Sequence, residues 1–151
     1  MGTEEPQTRP NARTGEGEEE TQPSGMNYLP DTDILISALQ HAQGWDRRLA
    51  ELVRQGAGLA CCAVTVAELL SGVHPAQLDA VEAFLGGLRW LETTPAIARR
   101  AGRLRYQYAR RGTQLGLADT LIAATAMEYG LTLITGNRRH FPMPELRILP
   151  A

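Results

Sequence analysis

Between Tyr28 and Leu149, short uninterrupted apolar runs alternate with longer segments of helical periodicity, and few folds accommodate that alternation. Tyr28 to Pro30, Leu59 to Val64, Leu88 to Leu91, Leu131 to Ile134 and Leu146 to Leu149 are too short for helices and read as strands. Between them, Ile34 to Leu39, Trp45 to Gln55, Thr65 to Gly72, Pro75 to Leu85, Pro95 to Arg111 and Leu117 to Tyr129 repeat apolar residues at helical spacing, and Gly56, Gly72, Gly86 and Gly130 stop four of them. Strands linked through helices run parallel and are covered on both faces. The pattern therefore predicts an α/β/α three-layer domain with a central parallel sheet over residues 26–151. In such sheets functional groups collect at the carboxyl ends of the strands.

Residues 1–25 do not share the pattern. They are low in apolar content, carry Glu16, Glu18, Glu19 and Glu20, and hold no run suited to a signal peptide or membrane span, so a disordered N-terminal extension is expected. Residues 26–151 keep 13 of the 15 basic and 11 of the 17 acidic residues, which moves the formal charge from −2 to +2. The folded part is mildly basic. Every basic residue is Arg, and the lack of Lys excludes a lysine Schiff base, a P-loop lysine or a lysine general base. Cys61 and Cys62 are adjacent in an apolar setting, the wrong spacing for a metal knuckle and awkward for a mutual disulfide. They read as small core residues of a cytoplasmic protein with no membrane association.

Three acids stand against this apolar background. Asp31 ends the first strand, Glu68 lies in Val64 to Leu70, and Asp119 lies in the nearly all-apolar stretch from Leu117 to Ala126. Each has a bland reading. Asp31 caps the following helix, Glu68 is the third residue of a capping box opened by Thr65, and Asp119 is a first-turn acid favoured by the helix dipole. Asp33 has the same first-turn alternative. Taken together the acids are harder to dismiss, because two carboxylates about 4 Å apart repel by roughly 4 kcal/mol at an effective dielectric near 20. Such a cluster protonates or takes up a cation. With oxygen donors and no Cys or His pair, Mg²⁺ or Mn²⁺ fits better than zinc. His41, His74 and His140 show no ligand spacing, and the first two read as surface or cap residues.

Four segments, Asp31 to Ile36, Val66 to Gly72, Leu117 to Ala126 and Thr135 to Phe141, resemble in order and spacing the motifs of PIN-domain ribonucleases, particularly the VapC-type toxins. The resemblance spans residues 27–150 and implies a PIN-like α/β/α fold with a Mg²⁺- or Mn²⁺-dependent endoribonuclease site. Carried over position by position, it makes Asp31, Glu68 and Asp119 the catalytic, metal-binding acids. The fourth motif often supplies another Asp, where this chain has Asn137 and His140; Asn137 could offer its carbonyl, and Asp33 could compensate. The expected reaction is hydrolysis by an activated water, leaving 5′-phosphate and 3′-hydroxyl ends. The resemblance also implies a small VapB-like antitoxin and a homodimer.

A nuclease has to hold a polyanion. Ile97 to Arg111 carries Arg99, Arg100, Arg103, Arg105, Arg110 and Arg111 with Tyr106 and Tyr108 and no acid, and Arg138 and Arg139 lie beside the proposed site. Arginine pairs with phosphates and tyrosine stacks on unpaired bases, although an arginine-rich helix face is also simply a solvated one. A haloacid-dehalogenase-like phosphatase using Asp31 and Asp33 is a weaker alternative, since Leu35 replaces the usual Thr or Val and the customary Lys is missing. A catalytically inactive PIN-like interaction module is the alternative outside enzymology.

Overall fold

Asn27–Pro30 (β1) takes the centre of a five-stranded, all-parallel sheet in this computed structural model, which describes residues 27–150. The expected N-terminal extension lies outside the described residues. The other strands are Gly58–Cys62 (β2), Arg89–Leu91 (β3), Thr132–Thr135 (β4) and Ile148–Pro150 (β5), and the order is β3-β2-β1-β4-β5. From β1 the chain builds outward through β2 and β3, then returns to the other side of β1 with β4. Order therefore reverses between β1 and β4, whose register pairs Tyr28 with Thr132 and Pro30 with Ile134. A crevice opens at such a reversal because the helices leaving the two strands go to opposite faces.

Alternate residues along these strands serve the two faces. Leu29 and Leu133, both fully buried, point to one side and pack with Leu104, Ile122, Ala123 and Ala126 from Pro95–Arg110 (α5) and Leu117–Glu128 (α6). Tyr28 and Ile134 point to the other, onto Ile34, Ala38, Trp45 and Leu49 from Thr32–Leu39 (α1) and Trp45–Arg54 (α2). Ala63–Ser71 (α3) and Leu78–Gly86 (α4) complete that side through Val66, Leu69, Val81 and Leu85. At about 1.5–3 kcal/mol for each fully buried large side chain, these contacts hold the layers together.

The predicted three-layer architecture matches this arrangement, and the boundary between β2 and α3 differs. The strand ends at Cys62, and Ala63 already belongs to the helix. Thr65 is not a cap: its hydroxyl, fully buried, donates to the Cys62 carbonyl at 3.0 Å and accepts from the Cys62 N–H at 3.1 Å. The capping box that explained Glu68 as its third residue does not exist, since Thr65 itself occupies that position after Cys62. Cys61 and Cys62 are free and buried, as expected of core residues, and burial pushes the Cys61 thiol up to about 11. No helix among the described residues is long and apolar enough to cross a membrane.

Candidate active site

Asp31 leaves β1 at the strand-order reversal and begins α1. Its Oδ1 accepts the Ile34 N–H at 3.0 Å, so the helix-capping reading of this residue is correct. The cap uses one oxygen. Oδ2 accepts the hydroxyl of Thr135, the fully buried last residue of β4, and the Asp31 N–H itself donates to the Ile134 carbonyl at 2.9 Å. Asp31 is thus tied to both strands that form the crevice. Thr135 also accepts the Asn137 N–H at 3.0 Å, which directs the chain after β4 past the same point.

The first turn of α1 and two further helices bring acids to this place. Asp33 lies in the first turn of α1, Glu68 in α3, and Asp119 in the first turn of α6. With Asp31, Thr32, Ile122, Asn137, His140 and Phe141 they line one small cleft of about 60 Å³. The Thr32 hydroxyl donates to Glu68 Oε1 at 2.8 Å and links α1 to α3. His140 Nδ1 stands 3.1 Å from Asp119 Oδ2 and links the turn after β4 to α6. Gly116 precedes α6 and lies beside the Asp119 carboxylate.

Electrostatics couple the members of the cluster. Burial raises the Asp31 carboxyl above the usual carboxylate range; the hydrogen bonds from Thr135 and Ile34 oppose that rise, and the charges of Asp33 and Asp119 add to it. Asp119 is raised as well, first by burial, while His140 lowers it and Glu68 and Asp33 push it up. None of Asp31, Glu68 or Asp119 has a guanidinium partner among the described residues. The acids feel one another's charge.

The sequence led us to expect three acids in buried settings. Only Asp31 is buried, at 6% exposure; Asp119 is half-buried and Glu68 is exposed. Its neighbours Val66 and Leu69 are buried, whereas Glu68 lines the cleft and is exposed. The donor set still suits a hard divalent ion, being carboxylate oxygens and one amide carbonyl in a common cleft. No three His, Cys, Asp or Glu side chains among the described residues form a ready-made coordination group. In the structure Asp31 is engaged by Ile34 and Thr135, Glu68 by Thr32, and Asp119 by His140.

The arginines divide between two places. Arg138 and Arg139 form the exposed turn between Asn137 and His140, at the lip of the cleft. Arg100 binds Glu128 Oε1 at 2.9 Å, and Glu128 lies nine residues beyond Asp119 on α6. That is about 14 Å along the helix axis at 1.5 Å per residue. Arg103 lines a hollow with Arg100, Glu128 and Glu145 at that remote end, and Arg99 is exposed on the same helix. Arg105 is engaged with the Leu115 carbonyl at 3.1 Å. Arg110 stacks 5.9 Å from the centre of the exposed Tyr106 ring.

Sequence reasoning assigned no role to Thr32, Thr135 or the His140 contact with Asp119. All three lie inside the recognised motifs, but a hydroxyl that orients a carboxylate has no periodicity or spacing of its own to reveal it. The PIN domain family matches residues 28–145 of this chain. Ribonuclease VapC19 of Mycobacterium tuberculosis is 41% identical over 122 residues, covering 79% of this chain and 96% of that protein. Ribonuclease VapC10 of the same species is 39% identical over 120 residues, covering 78% and 87%. Among solved structures, VapBC2 from Rickettsia felis bound to a DNA fragment from their promoter aligns with a TM-score of 0.73 at 26% identity, covering 83% of this chain and 99% of that one.

Proposed function

The chain belongs to the PIN-domain family, among the VapC-type proteins, and on that premise we propose that it is a Mg²⁺- or Mn²⁺-dependent endoribonuclease toxin held inactive by a VapB-like antitoxin. The observation that carries this reading is the meeting of Asp31 from the start of α1, Glu68 from the body of α3 and Asp119 from the first turn of α6 in one cleft at the strand-order reversal. The haloacid-dehalogenase alternative falls with the family assignment.

In this reading Asp31, Glu68 and Asp119 hold the ion, with the Asn137 carbonyl and Asp33 as neighbouring oxygen donors. A bound Mg²⁺ or Mn²⁺ supplies an activated water and offsets charge on the attacked phosphate. The protein contributes orientation. Thr135 and the Ile34 N–H hold the Asp31 carboxylate in one rotamer, and Thr32 does the same for Glu68. Burial first, and the charges of neighbouring acids after it, raise the proton affinity of Asp31 and Asp119, and a divalent cation offsets both effects. Phe141 and Ile122, both buried, form the apolar floor. We assign Arg138 and Arg139, exposed in the turn between Asn137 and His140, to phosphates that flank the scissile one, and Arg99, Arg100 and Arg103 to more distant parts of a long RNA.

The VapBC complex among the structural relatives supports a VapB-like partner for this chain. An apolar groove between α1, α3 and α4, about 240 Å³ and lined by Ile36, Leu39, Leu69, Val73 and Val81, is the surface we assign to it. Unchanged antitoxin affinity in Leu39→Arg would remove that assignment. We also propose a homodimer working in the cytoplasm on RNA.

Mapping of RNA 5′ ends after expression of wild type and Asp31→Asn tests the central claim. New 5′-phosphate ends are expected with wild type alone. Cyclic 2′,3′-phosphate ends, or equal cleavage by the variant, would refute it.

A further inference from the structure

Resting on the metal-dependent reading, we infer that His140 is a nitrogen ligand to the ion held by Asp119, and that it sets a preference of this cleft for Mn²⁺ over Mg²⁺. The segment after β4 brings no carboxylate to the cleft; Asn137 and His140 are its contribution. His140 Nδ1 lies 3.1 Å from Asp119 Oδ2. The two atoms front the same point of the cleft, so a nitrogen and an oxygen donor stand side by side for one incoming ion.

The surrounding backbone keeps His140 there. Its N–H donates to the Asn137 carbonyl at 3.0 Å, and the next residue, Phe141, donates to the Arg138 carbonyl at 3.0 Å while its ring is buried at 3% exposure. The side chains of His140 and Asp119 remain 54% and 31% exposed, which leaves the pair open to an ion arriving from solvent. Asp31, by contrast, has both oxygens engaged inside the protein.

The chemical consequence is selectivity. A neutral imidazole in place of a carboxylate removes one negative charge and introduces a softer donor. Mg²⁺ loses most from that exchange, because it relies on charged oxygen ligands and retains its waters. Mn²⁺ accepts imidazole more readily.

Pulsed electron paramagnetic resonance on the full chain loaded with Mn²⁺ reads the bond directly, with calorimetry for Mn²⁺ and Mg²⁺ affinities. Wild type is expected to show ¹⁴N coupling of a directly bound imidazole. His140→Ala is expected to lose it and to weaken Mn²⁺ about tenfold, with an effect of about threefold or less on Mg²⁺. His140→Asp is expected to restore tight binding without ¹⁴N coupling and to shift preference toward Mg²⁺. Bound Mn²⁺ that is lost in Asp119→Asn but shows no ¹⁴N coupling in wild type would overturn the assignment of His140 and leave the nuclease reading intact. Failure of wild type to bind Mn²⁺ would overturn both.

Discussion

The two ends of α6 carry the same kind of residue in opposite circumstances. At its start, Asp119 faces Glu68 and Asp33, and among the described residues its one cation-capable contact is a His; nine residues later, Glu128 is paired with Arg100 at 2.9 Å. Both acids are about one-third exposed, so solvent does not explain the contrast. The remote end is arranged as an ordinary surface ion pair, whereas the site end leaves like charges together. A fold under selection for stability alone would gain by placing a guanidinium at both ends.

That comparison is broken most sharply at Asp119. Asp119→Asn should lower RNA cleavage by roughly 10³-fold, the scale expected when an ion's contribution to the transition state is lost. Glu128→Gln should leave cleavage within about twofold in the same single-turnover assay. Similar losses in both variants would show that the two ends do not differ in function.

Thr135→Val tests what orients the site. The substitution leaves Asp31 Oδ2 buried without its donor, and a chemical denaturation midpoint should register a loss of about 1–3 kcal/mol. Cleavage should fall as well. A variant as stable as wild type would mean that Oδ2 finds another partner.

The pH dependence of metal-free protein sharpens the contrast further. Asp31 and Asp119 bind protons more tightly when folded than a free aspartate does, whose ordinary value is 3.8, so the folded state carries more protons than the unfolded state above that pH. Their contribution to stability is therefore most favourable at or below pH 3.8. It is lost as pH rises through their raised folded values. With chelator present, Asp119→Asn should melt higher than wild type at pH 7, with the gap narrowing toward pH 4 and Mn²⁺ stabilising only wild type. A gap independent of pH would contradict burial and neighbouring negative charge at Asp119 as its source.

The smallest effect belongs to the remote pair. A double-mutant cycle on Arg100 and Glu128 should return about 0.2–1 kcal/mol, diminished by salt, as for other partly exposed ion pairs. A coupling well above that range would make this end more than a surface contact.

Much of the fold is legible before any coordinates. The apolar runs at 28–30 and 131–134 lie within or beside β1 and β4, and the helix from Leu117 runs one residue short of its predicted end. These elements are visible because burial on two faces leaves a simple pattern in the chain. The start of α3 is misjudged, since Thr65 bonds backward to Cys62 and a hydroxyl's direction is not encoded by its position. Exposure of Glu68 is hidden for a related reason. Its neighbours Val66 and Leu69 are buried, and only the packed helix shows that residue 68 turns away from them.

Local sequence, then, determined which residues are apolar, where strands give way to helices, and which side chains possess the oxygen and nitrogen chemistry of the cleft. Tertiary structure decided who stands beside whom: Asp31 with Thr135 across 104 positions, Glu68 with Thr32, His140 with Asp119, and Arg100 with Glu128 at the far end of α6. Periodicity reports the environment of each residue averaged along its own element. Charges interact through space, and the distances between them exist only once the strand order has closed β4 against β1.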